Sequence, residues 1–146
     1  MRAVVQRVNY ASVRYETTKE EISKGLVVFI GISKLDTYKN IQYIAKKVAN
    51  LRIFENEKGK MDKSIMDING EILVVSEFTL YGNCSSGNRP DFTEAAPPEN
   101  AEKLYNEFIK ELSKYLPFEK IKTGKFRANM LVEIHNDGPV TILLEG

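Results

Sequence analysis

Leu26-Val27-Val28-Phe29-Ile30-Gly31-Ile32 runs for seven residues without a polar side chain. It is short for a helix and rich in β-branched residues, so it reads as a strand buried on both faces. Ile72-Leu73-Val74-Val75 is a second strand of that kind. Two such strands need cover on both sides. After the first, Asp36-Thr37 offers a helix cap, and Ile41, Ile44, Ala45, Val48 and Leu51 recur at helical spacing. After the second, Pro98 can open a helix in which Ala101, Leu104, Tyr105, Phe108, Ile109 and Leu112 form one stripe; Pro117 stops it.

Outward from this centre, Val4 to Val8 and Ala11 to Tyr15 read as a hairpin about Asn9-Tyr10. Leu51 to Phe54 is a short extended piece, and Glu57 to Lys60 and Asp67 to Gly70 are turns. Phe118 to Lys122, Met130 to Ile134 and Val140 to Leu144 read as three closing strands. The expected fold class is α/β: mixed, mostly antiparallel, barrel-like β-sheets with two covering helices, in the order ββ-(βα)2-βββ. One domain is expected over residues 1–146. A long loop from Tyr81 to about Pro98 is a candidate functional segment.

Composition excludes more than it selects. The chain has 21 basic and 20 acidic residues, a formal charge of +1, which argues against a surface wholly devoted to nucleic acid. The one cysteine, Cys84, permits no intrachain disulfide. Met1 to Val8 becomes polar too early for a signal peptide, and no apolar run reaches membrane-span length. A cytoplasmic protein with no membrane partner is expected. The single histidine, His135, lies beside Glu133 and reads as a surface residue. No zinc ligand set, calcium loop or phosphate-binding glycine loop is present, so no metal and no cofactor are expected.

Two segments remain. Ser76-Glu77-Phe78-Thr79-Leu80 follows the second buried strand. Where a strand ends, its N–H groups become free to stabilise an oxyanion; equally, Ser76 and Thr79 can satisfy their own backbone there. Strand alternation would put Ser76 and Phe78 on one side, with Glu77 and Thr79 on the other. Asn136-Asp137-Gly138-Pro139-Val140-Thr141 reads on its own as a hairpin turn.

Together these segments resemble the D-aminoacyl-tRNA deacylase family. Ser76, Phe78, Thr79 and Leu80 match its motif, usually Ser-Gln-Phe-Thr-Leu; Glu77 departs from it. Gly138-Pro139 falls on its Gly-cisPro pair. Gln6-Arg7-Val8, Gly87 to Phe92 and Lys125 to Met130 match three more segments in order, with Arg127 where glycine is usual. The resemblance implies a hydrolase that cleaves D-aminoacyl-tRNA (and glycyl-tRNA) for chiral proofreading in translation. It implies oxyanion donors at Phe78 and Thr79, substrate or water orientation by Ser76, and an adenosine pocket at Phe126 and Met130. The substrate's own 2′-OH would help activate water. Arg7 would hold the Gly138-Pro139 loop, which would enter the partner's site in a homodimer and reject L side chains. The aminoacylated 3′ end of tRNA is the expected partner, and DNA is not.

Two rivals stand beside this reading: a relaxed-specificity deacylase of the same family, and a non-catalytic RNA-end binding module. Lys114, Lys120, Lys122, Lys125 and Arg127, interrupted only by Glu119, form the densest basic stretch. They read either as a solvated sheet edge or as a contact for the tRNA acceptor arm.

Overall fold

β1 (Arg2–Tyr15) is the strand to which the rest of the sheet is attached in the computed structural model, which describes residues 1–146. The chain turns at Glu16-Thr17 into β2 (Thr18–Ile22) and, past Ser23-Lys24, β3 (Gly25–Gly31). Pairing from Tyr15↔Thr18 to Arg2↔Gly31 keeps one register, so β2 and β3 are two halves of a single return strand.

α1 (Tyr38–Asn50) follows, its start fixed by Asn40 Oδ1, which accepts from the Thr37 N–H at 2.7 Å. A small hairpin, β4 (Phe54–Glu55) and β5 (Met61–Lys63), leads to β6 (Glu71–Ser76), which pairs parallel with β3. α2 (Pro98–Leu112) begins on its proline, where the missing N–H costs no helical bond. β7 (Ile121–Thr123) extends the sheet parallel to β6. β8 (Leu131–Glu145) then lies antiparallel along the other edge of β1. β2 approaches β6 and β7, which rolls the sheet toward a barrel.

Both helices cover one face. Ala3, Val5, Leu26, Val28, Ile72 and Val74 of the sheet pack there with Ile44 and Val48 of α1 and Phe108 and Leu112 of α2. Val8, Ala11, Val13, Val27, Leu73 and Val75 form a smaller cluster on the other face. Burial on both faces is what the two apolar runs require.

Four details differ from the expectations. Val4–Val8 and Ala11–Tyr15 are one strand: Asn9 is passed over between Val8↔Asn136 and Tyr10↔His135, a bulge that shifts the alternation by one. The strand of the first hairpin that the sequence hides is β2, whose only buried residue is Ile22. Met130–Ile134 and Val140–Leu144 likewise merge in β8, with no hairpin between them. Gln6 faces Thr141 and Val8 faces Asn136, so Asp137 to Val140 bulge out opposite Arg7 alone. Finally, Phe118–Lys120 is a 3₁₀ turn and only Ile121–Thr123 is strand.

Candidate active site

β6 ends at Ser76, and the chain continues from Glu77 into a 3₁₀ turn, Phe78–Tyr81. Several contacts seat this turn on the sheet. The Glu77 N–H donates to the Ile30 carbonyl at 2.8 Å, and Arg2 Nη1 donates to the Leu80 carbonyl at 2.9 Å. The Arg2 guanidinium also stacks over the Tyr81 ring at 4.6 Å. Gly31 leaves the room: a Cβ there would lie 2.9 Å from Leu80 Cβ and 3.1 Å from the Glu77 carbonyl. Burial holds the Tyr81 phenol up at about 12, with the Asp36 charge adding to it.

Phe78 and Thr79 are the first residues of the turn, so their N–H groups have no partner within it. No loop, cap or side-chain hydrogen bond engages either one. The expectation of free N–H groups at the strand end is thus met in geometry.

Beside the turn opens a cleft of about 700 Å³, with 12 hydrophobic residues among its 17. Ser76, Glu77 and Phe78 form one side, Phe126, Arg127 and Met130 another. Ala95 and Ala96 join from the loop before α2, which is tied to the chain just past β3 because the Ala96 N–H donates to the Ile32 carbonyl at 2.9 Å. Phe78 and Phe92 meet edge to face with centroids 5.0 Å apart. Phe126 packs against Tyr105, whose hydroxyl donates to the Val74 carbonyl at 3.0 Å; burial raises that phenol well above its ordinary range. Residues about 50 apart in sequence, 76–78 and 126–130, therefore share one apolar pocket.

Strand alternation stops at Ser76, and Glu77 is among the residues that line the cleft, with Ser76 and Phe78. Its carboxylate accepts from the Thr79 hydroxyl, and Thr79 itself is exposed and outside the lining. This contact ties the start of the turn together.

The other expected residues gather elsewhere. Arg7 is buried; its Nε donates to the Asp137 carbonyl at 3.2 Å and lies 3.3 Å from the Asp137 carboxylate. Its Nη1 donates to the Ile53 carbonyl at 2.8 Å. Gly138-Pro139 is cis, the isomer the resemblance implies, and both residues are exposed. Neither lines the cleft of its own chain. The sequence offered no sign of the Ile53 contact, because a backbone carbonyl carries no residue signature. The wall formed by Ala95 and Ala96 was hidden for a similar reason: small apolar residues in a loop look like spacer.

His135 is an exposed residue with Nε2 at 3.0 Å from Glu133 Oε1, and it packs on Tyr10 with centroids 5.2 Å apart. Cys84 is exposed with no partner. In the basic stretch, Lys125 pairs with Glu16 at 2.6 Å and Lys114 with Glu111 at 2.8 Å. No helix is long and apolar enough to cross a membrane.

Comparison with known proteins bears on the fold first. A chain described as "a probable eukaryotic D-amino acid tRNA deacylase" superposes with a TM-score of 0.83 over 98% of this chain and 97% of its own, at 14% identity. That match fixes the α/β architecture. Another structure, described as c-Myc DNA Unwinding Element Binding Protein, has a TM-score of 0.95, 50% identity, and covers 100% of this chain and 99% of its own. The sequence model for D-Tyr-tRNA(Tyr) deacylase matches residues 4–145. The D-aminoacyl-tRNA deacylases of Thermotoga petrophila and Clostridium botulinum (strain Eklund 17B / Type B) are each 56% identical, over 99% of this chain and 97% of theirs. The chain belongs to the D-Tyr-tRNA(Tyr) deacylase family.

Proposed function

We propose that this protein hydrolyses the ester of D-aminoacyl-tRNA, releasing the D-amino acid and tRNA. The observation that carries the reading is the cleft itself, which joins the Ser76–Phe78 edge to Phe126 and Met130 in a chain of this family. Adenine enters the apolar side against Phe126 and Met130. The ester carbonyl lies toward the free N–H groups of Phe78 and Thr79, which stabilise the negative charge as water adds to the carbon. Ser76 orients the ester or the water. The C–O bond to the ribose then breaks, leaving a free carboxylate and a 3′-hydroxyl. Activation of the water falls to the substrate's 2′-OH.

The working form is a homodimer. Gly138 and Pro139 protrude from β8, are steadied by Arg7, and stay out of their own chain's cleft, which supports a role in a partner's cleft. There their backbone would exclude an L side chain and admit a D side chain or glycine. Aminoacylated tRNA is the partner, and the cytoplasm the place of action.

The test is incubation with D-tyrosyl-tRNA and L-tyrosyl-tRNA, following the ester over time. Loss of the D ester alone is expected. Loss of L-alanyl-tRNA as well would point to the relaxed deacylase. One observation favours a binding reading: the 50% identical protein is described by a DNA element that it binds. Nucleic-acid retention without turnover of either ester would replace the deacylase reading with that one.

A further inference from the structure

Glu77 and Arg127 are the only charged residues lining the cleft. Neither belongs to an ion pair, with each other or with any other residue. The Glu77 carboxylate is engaged by the Thr79 hydroxyl; the Arg127 guanidinium has no hydrogen-bond partner at all. Its neighbour Lys125 is committed to Glu16. Arg127 also sits at φ 65, the third position of a turn closed by the Ala128 N–H on the Lys125 carbonyl at 3.1 Å. A turn gives that conformation most readily to glycine or asparagine. A long cation therefore stands in an unfavourable backbone position, uncompensated, between Phe126 and Met130 at the wall assigned to adenine.

We propose that Arg127 contacts the phosphodiester on the 5′ side of the terminal adenosine and offsets the negative charge of Glu77, which lines the same cleft. This rests on the deacylase reading. A base seated against Phe126 and Met130 brings its 5′-phosphate to the cleft mouth, because the two are joined through one ribose. A carboxylate in that cleft repels the phosphate, and a free guanidinium attracts it and can bond two of its oxygens at once. Lys120 and Lys122, on the same stretch of chain, would extend the contact along the strand without reading its sequence.

The experiment compares D-tyrosyl-tRNA with D-tyrosyl-adenosine, an ester that has no phosphate. The proteins are wild type, Arg127→Gly, Arg127→Lys, Glu77→Gln and the double variant Glu77→Gln/Arg127→Gly. Glycine accepts φ 65, so Arg127→Gly keeps the turn. Its KM for the tRNA ester should rise about tenfold, the size of one lost charge-assisted contact, while the rise on the adenosine ester stays several-fold smaller. The dependence of log KM on log salt should flatten by about 0.7, the single-strand value for one phosphate contact. Arg127→Lys should recover part of the loss. Glu77→Gln should lower KM for tRNA, and the double variant should return close to wild type.

An equal KM rise on both esters, an unchanged salt slope, or a double variant no better than Arg127→Gly would overturn the inference while leaving the deacylase reading intact. Wild-type protein that cleaves neither ester would overturn both.

Discussion

Gly31 sets how closely the turn at Phe78–Tyr81 approaches β3, and so where the free N–H groups stand. A methyl group there would press on Leu80 Cβ and the Glu77 carbonyl, both part of the turn. Gly31→Ala should therefore shift the donors by a few tenths of an ångström or more. A displacement of about 1 Å can cost about 100-fold in turnover when it moves a catalytic group, so this smaller shift should cost several-fold. Turnover of D-tyrosyl-tRNA falling far more than the urea midpoint would locate the effect at the site; unchanged turnover would remove the turn from the chemistry. Arg127 makes the opposite case. The left-handed backbone it adopts costs a residue with a side chain about 1–2 kcal/mol, part of which glycine returns as unfolded-chain entropy. Arg127→Gly should then gain roughly 0.5–1 kcal/mol in urea unfolding. A protein more stable but weaker toward tRNA is the expected pattern.

At the scale of elements, α2 is held by its apolar stripe and by one polar knot. Phe108 is fully buried in the larger cluster, and Phe108→Ala should lose about 3–5 kcal/mol, read from chemical denaturation. The knot joins the helices: Glu111 on α2 accepts from the Tyr38 hydroxyl of α1 at 2.7 Å and pairs with Lys114. The Lys114 ammonium, and then Tyr38, hold the Glu111 carboxyl below its usual value of 4.5. A lowered carboxyl adds stability above the unfolded value, and that stability drains away as pH falls through the folded one. The urea midpoint of Glu111→Gln should lie below wild type at pH 6 and converge with it toward pH 3; a constant gap would exclude the linkage.

The helices and the two buried strands were legible because their periodicities are uninterrupted. β1 and β8 each look like two strands in the sequence because bulges break alternation, and a phase slip in sequence looks the same as a turn. β2 was invisible because four of its five residues are not buried. At the site, the motifs named Ser76, Phe78, Thr79, Arg7, Gly138 and Pro139. Their division into a cleft and a separate protrusion comes from where β6 stops and from the bulge in β8 opposite Arg7, which no pattern in the sequence marks.

As a whole, the free chain exposes 8399 Å². A monomer of 16.6 kDa would be expected to expose roughly 7,600 Å² by size scaling. The excess is about what one partner contributes to a standard interface. Leu131 and Leu143, on either side of the bulge in β8, are 70% and 74% exposed. Sedimentation equilibrium should give twice the chain mass at micromolar concentration, and Leu143→Glu should shift it toward the monomer with loss of deacylation. A monomeric wild type with full activity would end the shared-site reading.

The pairing of β1 with β8 also bears on how the molecule comes into being. Arg2 lies opposite Glu145, so β1 must wait for β8, a strand far along the chain. Until β8 leaves the ribosome, β1 has one open edge and Arg7 lacks Asp137. Folding must join strands far apart in sequence, which places it among the slower topologies. A prematurely terminated product would thus be no partial enzyme: it would present a bare, apolar margin to chaperones and proteases, and quality control would clear it before it could ever meet a tRNA.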